Sequence, residues 1–118
     1  MKGEVITELE QHATDELRHA TMLVARIVQL GGTPILEPKE WYALTNCGYD
    51  KPQNPDVKVL LKQNIQGEQC AIGVYKKLMD FVKNEDIITF NIVSQILADE
   101  IEHEDDLENL IEDMKYLK

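Results

Sequence analysis

Apolar residues recur at alternating spacings of three and four along three long stretches of the chain, residues 3–30, 55–84 and 87–116. This spacing is typical of helices that pack almost parallel to their neighbours. Each stretch therefore has a seam, meaning the line of residues that faces the other helices, and no alternating strand pattern competes with it. The sequence predicts an all-α fold of three long helices in a single domain, residues 1–118.

Residues that stop or start helices mark the ends of these stretches. The sequence GGTP at 31–34 ends the first helix. Asn54 is expected to cap the second helix, with Pro55 at its first position, where a missing N–H costs nothing. A tight turn at 83–86 makes the second and third helices antiparallel neighbours.

The segment 31–54 is long for a connection inside a compact domain. When extended, it can run the full length of a long helix. We therefore expect a crossover that lets the first two helices run parallel, with Trp41 and Tyr42 packed against the outside of the bundle. Stacking of Trp41 on a ligand is the alternative.

Acidic and histidine side chains interrupt each seam near its middle. They are Glu16 and His19 in the first helix, Glu68 in the second, and Glu100 and His103 in the third. Each glutamate lies about 13 residues into its helix, so that packing brings all three to one height. A Glu and a His three residues apart share one face of a helix. The five side chains should therefore meet inside the bundle.

These side chains indicate a metal site, because an isolated buried carboxylate is so costly that it is neutralised, paired or metal-bound. No lysine or arginine lies on the seams nearby. Carboxylate oxygen together with imidazole nitrogen suits iron, manganese or zinc. A hydrogen-bonded polar network without metal is the alternative. Two Glu-x-x-His pairs and a glutamate at the same height favour the metal.

Other residues near the expected site have open roles. His12, one turn before Glu16, is an extra ligand, a partner of a ligand or a residue at the mouth of the bundle. Cys70 is a redox-active thiol or an ordinary packing residue, and Tyr75 either serves the site or packs in the core. Cys47 and Cys70 form no Cys-x-x-Cys pair and no disulfide framework, which favours free thiols in a reducing compartment.

Composition and charge narrow the expected partners. The chain has 118 residues, with 12 Lys plus Arg against 22 Asp plus Glu and a net charge of −10. Its basic residues form no patch, so nucleic acid is not an expected partner. The sequence has neither the apolar core of a secretory signal nor a run of about 20 apolar residues that could span a membrane. We expect a soluble, cytoplasmic protein.

Three segments resemble the ferritin-like di-iron proteins, in particular the branch of bacterioferritin and the Dps-like ferritins. Residues 8–34 (ELEQHATDELRHATMLVARIVQLGGTP) resemble the second helix of that family, 64–75 (NIQGEQCAIGVY) the third and 95–107 (QILADEIEHEDDL) the fourth. The resemblance covers almost the whole chain. It implies a ferritin-like helical bundle of which helices two to four are present.

The resemblance also implies a set of metal ligands. Glu16 and Glu100 would bridge two irons, His19 would bind one iron and His103 the other, and Glu68 would be a terminal ligand. The three glutamates would be the catalytic groups of such a centre.

Two departures from the family pattern stand out. The family's first helix, with its terminal glutamate, has no counterpart here, so the chain is a fragment of a longer protein, or a second subunit or an N-terminal acid such as Glu4 supplies the missing carboxylate. Apolar residues outside the first seam, such as Val5 and Val24, need a cover, and we therefore expect a homo-oligomer. Haem is not expected, because Leu17 replaces the Met that haem-binding bacterioferritin has at this position.

The resemblance implies oxidation of Fe²⁺ to Fe³⁺ by dioxygen or hydrogen peroxide, for iron storage and protection from peroxide. Manganese and zinc are alternative occupants of the site. A non-catalytic structural bundle that binds zinc or no metal is the main alternative. A di-metal enzyme acting on an organic substrate would need a pocket beside the metals, and no feature of the sequence indicates one.

Overall fold

Three long helices and one short helix form the fold in a computed structural model that describes residues 1–117. They are α1 (Lys2–Gln29), α2 (Pro38–Leu44), α3 (Val57–Val82) and α4 (Ile87–Met114). No strand occurs in this part of the chain, and the predicted all-α class is confirmed. The sequence did not predict α2, which lies inside the crossover. Within residues 1–117, no helix is long and apolar enough to cross a membrane.

The directions of the long helices follow from the side chains that pair between them. Arg26 of α1 pairs with Asp86 at the start of α4, whereas His12 of α1 lies beside Asp106 near the end of α4. Residue numbers thus run in opposite senses along the two helices, so α1 and α4 are antiparallel. The short turn at 83–86 makes α3 and α4 antiparallel as well. It follows that α1 and α3 run in the same direction.

The start of α3 differs from the prediction. Asp56, not Asn54, caps the helix, because the Asp56 side chain accepts a hydrogen bond of 3.1 Å from the backbone N–H of Val59. The Asn54 side chain accepts from the backbone N–H of Asp56 at 2.9 Å. Asn54 therefore shapes the turn before the helix, and Pro55 precedes the cap.

The apolar core is small and lies on both sides of the central polar residues. Val5, Leu61 and Leu107 form a buried cluster toward one end, while Val93 and Ile96 are buried toward the other. Val5, which was expected to need a cover, is therefore buried within the chain itself, whereas Val24 is 43% exposed and Leu17 72% exposed. The described residues therefore leave a broad apolar face of α1 uncovered.

The crossover does not pack its aromatic residues as predicted. Trp41 and Tyr42 are both more than half exposed. The Trp41 indole N–H donates to the carbonyl oxygen of Ile35 at 2.9 Å, which holds the ring to the crossover itself. Tyr42 makes an edge contact with Tyr49 in the same segment.

A disulfide bond ties the crossover to α3. Cys47 and Cys70 are bonded, with a Cα–Cα distance of 5.9 Å, so the prediction of two free thiols was wrong. The physical reason is the path of the crossover, which turns back after α2 and brings Cys47 against the middle of α3. The spacing of two cysteines along a chain does not reveal such a path.

Removal of the disulfide should lower the stability of the chain by about 3 kcal/mol, because the bond closes a loop of 23 residues in the unfolded state. We expect the Cys47→Ser/Cys70→Ser variant to unfold at lower urea concentration than the oxidised wild type, as followed by circular dichroism. Wild type in excess reductant should behave like the variant. Equal midpoints for all three samples would contradict this contribution.

A polar cluster joins the end of α1 to the start of α4. Asp86 caps α4, and its carboxylate accepts from the Thr89 N–H at 3.0 Å and from Arg26 Nη2 at 2.9 Å. Hydrogen bonds from Thr89, with that from Arg26, lower the pKa of Asp86 from 3.8 to about 2. The ionised carboxylate therefore stabilises the folded chain.

The contribution of Asp86 should depend on pH in a defined window. Because its pKa is lower in the folded chain, the stabilisation is complete above about pH 4 and is lost as the pH falls through about 2. The difference in urea midpoint between wild type and Asp86→Asn should therefore shrink between these values. The exposed neighbour Glu85, changed to Gln, is the control. A difference that stays constant with pH would show that Asp86 is not linked to folding in this way.

Candidate metal centre

The structure brings the five side chains predicted from the seams into one cluster in the middle of the bundle, but Glu16 lies at its edge with its side chain 46% exposed. Glu16 and His19 come from α1, Glu68 from α3, and Glu100 and His103 from α4. His19 Nδ1 lies 3.2 Å from Glu100 Oε1 and 3.7 Å from Glu16 Oε1. His103 Nδ1 lies 3.5 Å from both of these carboxylates and 3.6 Å from Glu68 Oε1.

Several buried atoms of this cluster have no hydrogen-bond partner among the described residues. They are His19 Nδ1, Glu68 Oε2, Glu100 Oε1 and His103 Nδ1. Buried polar atoms are almost always hydrogen-bonded, and each exception needs an explanation such as an ion. Ligand atoms from Glu16, Glu68, Glu100 and His103 lie within 4.8 Å of one another. This donor set fits a divalent cation.

Two aspartates that sequence reasoning missed orient the histidines. His19 Nε2 donates to Asp99 Oδ2 at 2.8 Å, and His103 Nε2 donates to Asp15 Oδ2 at 2.8 Å. These hydrogen bonds lower the pKa of both aspartates and leave each Nδ1 pointing into the cluster. Arg18 Nη2 lies 2.7 Å from Asp99 and 3.4 Å from Asp15, and so joins the pair.

The sequence does carry a signal for these aspartates. An Asp stands directly before the Glu of each Glu-x-x-His pair, in DELRH at 15–19 and DEIEH at 99–103. The doubled Asp-Glu-x-x-His motif could have indicated a carboxylate behind the imidazole of each candidate ligand. What the motif does not reveal is that each aspartate holds the histidine of the other helix.

The electrostatics of the cluster reflect the crowding of acidic groups. Burial, followed by the effects of Glu16 and Glu68, raises the pKa of Glu100 to about 10. Burial favours a lower pKa for His103, but the carboxylates of Glu16, Glu68 and Asp15 outweigh it and raise the pKa to about 11. The raised pKa values of Glu100 and His103 show that the cluster favours the binding of positive charge, either protons or cations.

An open groove of about 730 Å³ leads from the surface to the carboxylates. It runs between α1, α3 and the crossover, and its lining includes Glu16, Glu68, Glu100 and the disulfide of Cys47 and Cys70. The sequence indicated no such groove, because its walls come from segments that are distant along the chain. Small molecules can reach the cluster from this side.

The remaining candidates take different positions. Glu4 lies three helical turns before Glu16, roughly 18 Å along α1, and its carboxylate is 3.5 Å from the N-terminal amine. Glu4 is therefore not the missing ligand within this chain.

His12 is buried and stacks on His103 with ring centroids 4.0 Å apart. Burial, followed by the nearby glutamates, raises the pKa of Tyr75 to about 12, so its hydroxyl stays protonated.

A model of the ferritin-like domain matches residues 4–117 of this chain. The chain belongs to the ferritin-like family. Its bundle and its resemblance to that family, both predicted from the sequence, are thereby confirmed.

Two curated relatives are similar in sequence to this ferritin-like chain. It is 35% identical over 114 residues to a DNA protection during starvation protein of Pyrococcus furiosus, covering 94% of this chain and 61% of the relative. It is 28% identical over 116 residues to a bacterioferritin of Desulfovibrio desulfuricans, covering 98% of this chain and 60% of the relative. The chain thus spans about three fifths of the length of these curated relatives.

A solved structure is also similar. The dodecameric thioferritin of Bacteroides fragilis, described as a bacterioferritin-related protein, superimposes with a TM-score of 0.96 at 40% identity. The match covers 98% of this chain and 69% of the thioferritin chain.

Loss of either orienting aspartate should weaken metal binding. We expect Asp15→Asn and Asp99→Asn each to lower the affinity for Zn²⁺ roughly 10- to 100-fold, because the carboxylate fixes the tautomer and orientation of the ligating ring. Competition with a chromophoric chelator measures the affinity, and the exposed Asp105→Asn in α4 is the control. Unchanged affinity in both variants, with folding intact by circular dichroism, would show that the aspartates do not act through the histidines.

Proposed function

We propose that this ferritin-like chain binds Fe²⁺ between Glu16, His19, Glu68, Glu100 and His103 and oxidises it to Fe³⁺. The observation that carries the proposal is the convergence of buried ligand atoms without hydrogen-bond partners. Carboxylate and imidazole groups suit iron, and the same groups also accept manganese or zinc. Three carboxylates with neutral imidazoles largely offset the charge of two divalent ions.

Iron is the substrate in this reaction. Each of two Fe²⁺ ions gives up one electron, and the two electrons reduce hydrogen peroxide and two protons to two water molecules, or dioxygen and two protons to hydrogen peroxide. The chain contributes ligands in fixed positions, because the aspartates hold the histidine rings in place. It also contributes negative charge, which favours Fe³⁺ over Fe²⁺. The open groove beside Glu16, Glu68 and Glu100 gives the oxidant a path to the site.

The names of the relatives support a role in iron storage and in protection during starvation, to which the consumption of hydrogen peroxide by Fe²⁺ would contribute. One is a bacterioferritin, another a DNA protection during starvation protein, and the solved relative is a dodecamer. By extension from these relatives, we propose that the present chain forms a homo-oligomer in the cytoplasm and takes up iron. Because the relatives are longer, we also propose that a carboxylate from outside these 118 residues completes the site.

A non-catalytic role is the alternative. The Glu and His cluster would then bind a redox-inert ion such as zinc and hold the helices together. The hydrogen bonds that His103 and His19 donate to Asp15 and Asp99 also favour this role. Both functions predict metal binding, so only turnover separates them.

Oxidation of Fe²⁺ in the presence of dioxygen or hydrogen peroxide tests the proposal. Wild type should oxidise Fe²⁺ faster than buffer alone, as followed by ferric absorbance, and Glu100→Gln should bring the rate down to that of buffer. Glu102→Gln, an exposed glutamate on the same helix, should keep the wild-type rate. If wild type binds Fe²⁺ yet oxidises it no faster than buffer, the non-catalytic function is correct.

A further inference from the structure

A second group of ligand atoms lies beside the proposed iron site. Glu8 and His12 are one turn apart on α1, and Asp106 faces them from α4. His12 Nε2 lies 3.3 Å from Glu8 Oε2 and 3.7 Å from Asp106 Oδ2. This group shares no residue with the five ligands of the proposed iron site.

The His12 nitrogen, like several atoms of the proposed iron site, is a buried polar atom without a hydrogen-bond partner in the part of the chain that the structure describes. His12 is only 5% exposed, and its Nε2 has no hydrogen-bond partner among the described residues despite lying between two carboxylates. Neither Glu8 nor Asp106 forms an ion pair with a lysine or arginine within residues 1–117. The described residues therefore leave the negative charge of two carboxylates without a fixed cation and a buried nitrogen without a hydrogen-bond partner.

We propose that Glu8, His12 and Asp106 form an additional binding site for a divalent cation. Donor atoms bound to one tetrahedral ion at about 2.0–2.2 Å lie roughly 3.4 Å apart, and the separations of 3.3 and 3.7 Å are close to that spacing. One imidazole and two carboxylates suit Zn²⁺, Fe²⁺ or Mn²⁺. Glu8 and Asp106 are each about one third exposed, so water completes the coordination and the ion enters from solvent.

His12 borders both sites, and the additional site has to be separated from a role of His12 in the iron site. A ligand atom of His12 also lies within 4.8 Å of ligand atoms of Glu68 and His103. Glu8 and Asp106, in contrast, belong to a candidate group only with His12. Changes at these two carboxylates therefore report on the additional site alone.

The test is the amount of Zn²⁺ bound per chain in equilibrium dialysis of the purified full chain. Glu8→Gln/Asp106→Asn should bind about one ion fewer than wild type, and His12→Gln should lose the same ion. The control is Glu10→Gln/Glu108→Gln, which removes two exposed charges from the same helices and should bind as many ions as wild type. Glu100→Gln, which damages the proposed iron site, should leave the ion at Glu8 in place.

Two results would overturn the proposal. One is equal Zn²⁺ binding by Glu8→Gln/Asp106→Asn and its control. The other is loss of an ion in His12→Gln alone, which would make His12 a ligand of the iron site.

Anomalous diffraction from wild-type crystals soaked in Zn²⁺ is a second test that needs no variant. A peak between Glu8, His12 and Asp106 is the expected result, and no peak there at full occupancy of the iron site would contradict it.

Discussion

The crowding of carboxylates around the buried Glu100, at the centre of a thin bundle, is the constraint on which the rest of the structure depends. Glu100 is only 2% exposed, and it shares one cluster with Glu68, which is mostly buried, and with Glu16, which is about half exposed. Negative charges at such separations are unfavourable in a protein interior unless protons or cations offset them. The apolar core is divided accordingly into one part on each side of the cluster, with Leu61 and Leu107 toward one end. The bundle is therefore built around a polar centre that needs positive charge.

The centre has an approximate two-fold arrangement that follows from the antiparallel packing of α1 and α4. The same Asp-Glu-x-x-His motif occurs once on each helix, at 15–19 and 99–103. When two such helices face each other in opposite directions, the Asp of one reaches the His of the other, as the two Nε2–Oδ2 contacts of 2.8 Å show. Arg18 departs from this two-fold arrangement, because it belongs to α1 alone and pairs with both aspartates. A short local motif thus generates a network that neither helix could form alone.

The sequence predicts those features that depend on local helical geometry. The three long helices and the meeting of Glu16 with Glu100 follow from periodicity, because residues three or four apart share a face and the helices have similar lengths. Features that depend on the rotation or path of a segment were missed. The hydrogen bonds of Asp15 and Asp99 depend on how α1 and α4 are rotated about their own axes. The disulfide depends on the path that the crossover takes. At the start of α3, Asn54 and Asp56 are both residue types that can cap a helix, and the path of the backbone selects Asp56.

The distribution of charge in this chain would link cation binding to folding. The net charge of −10 is partly concentrated where α1 faces α4, and self-repulsion of that kind destabilises a compact state. Arg26 offsets it at one end of the interface by pairing with Asp86. No comparable lysine or arginine pairs with Glu8 or Asp106 at the other end, within the residues described. Ions bound along this interface would therefore act as structural counter-charges for the α1–α4 pair, in addition to any that are oxidised.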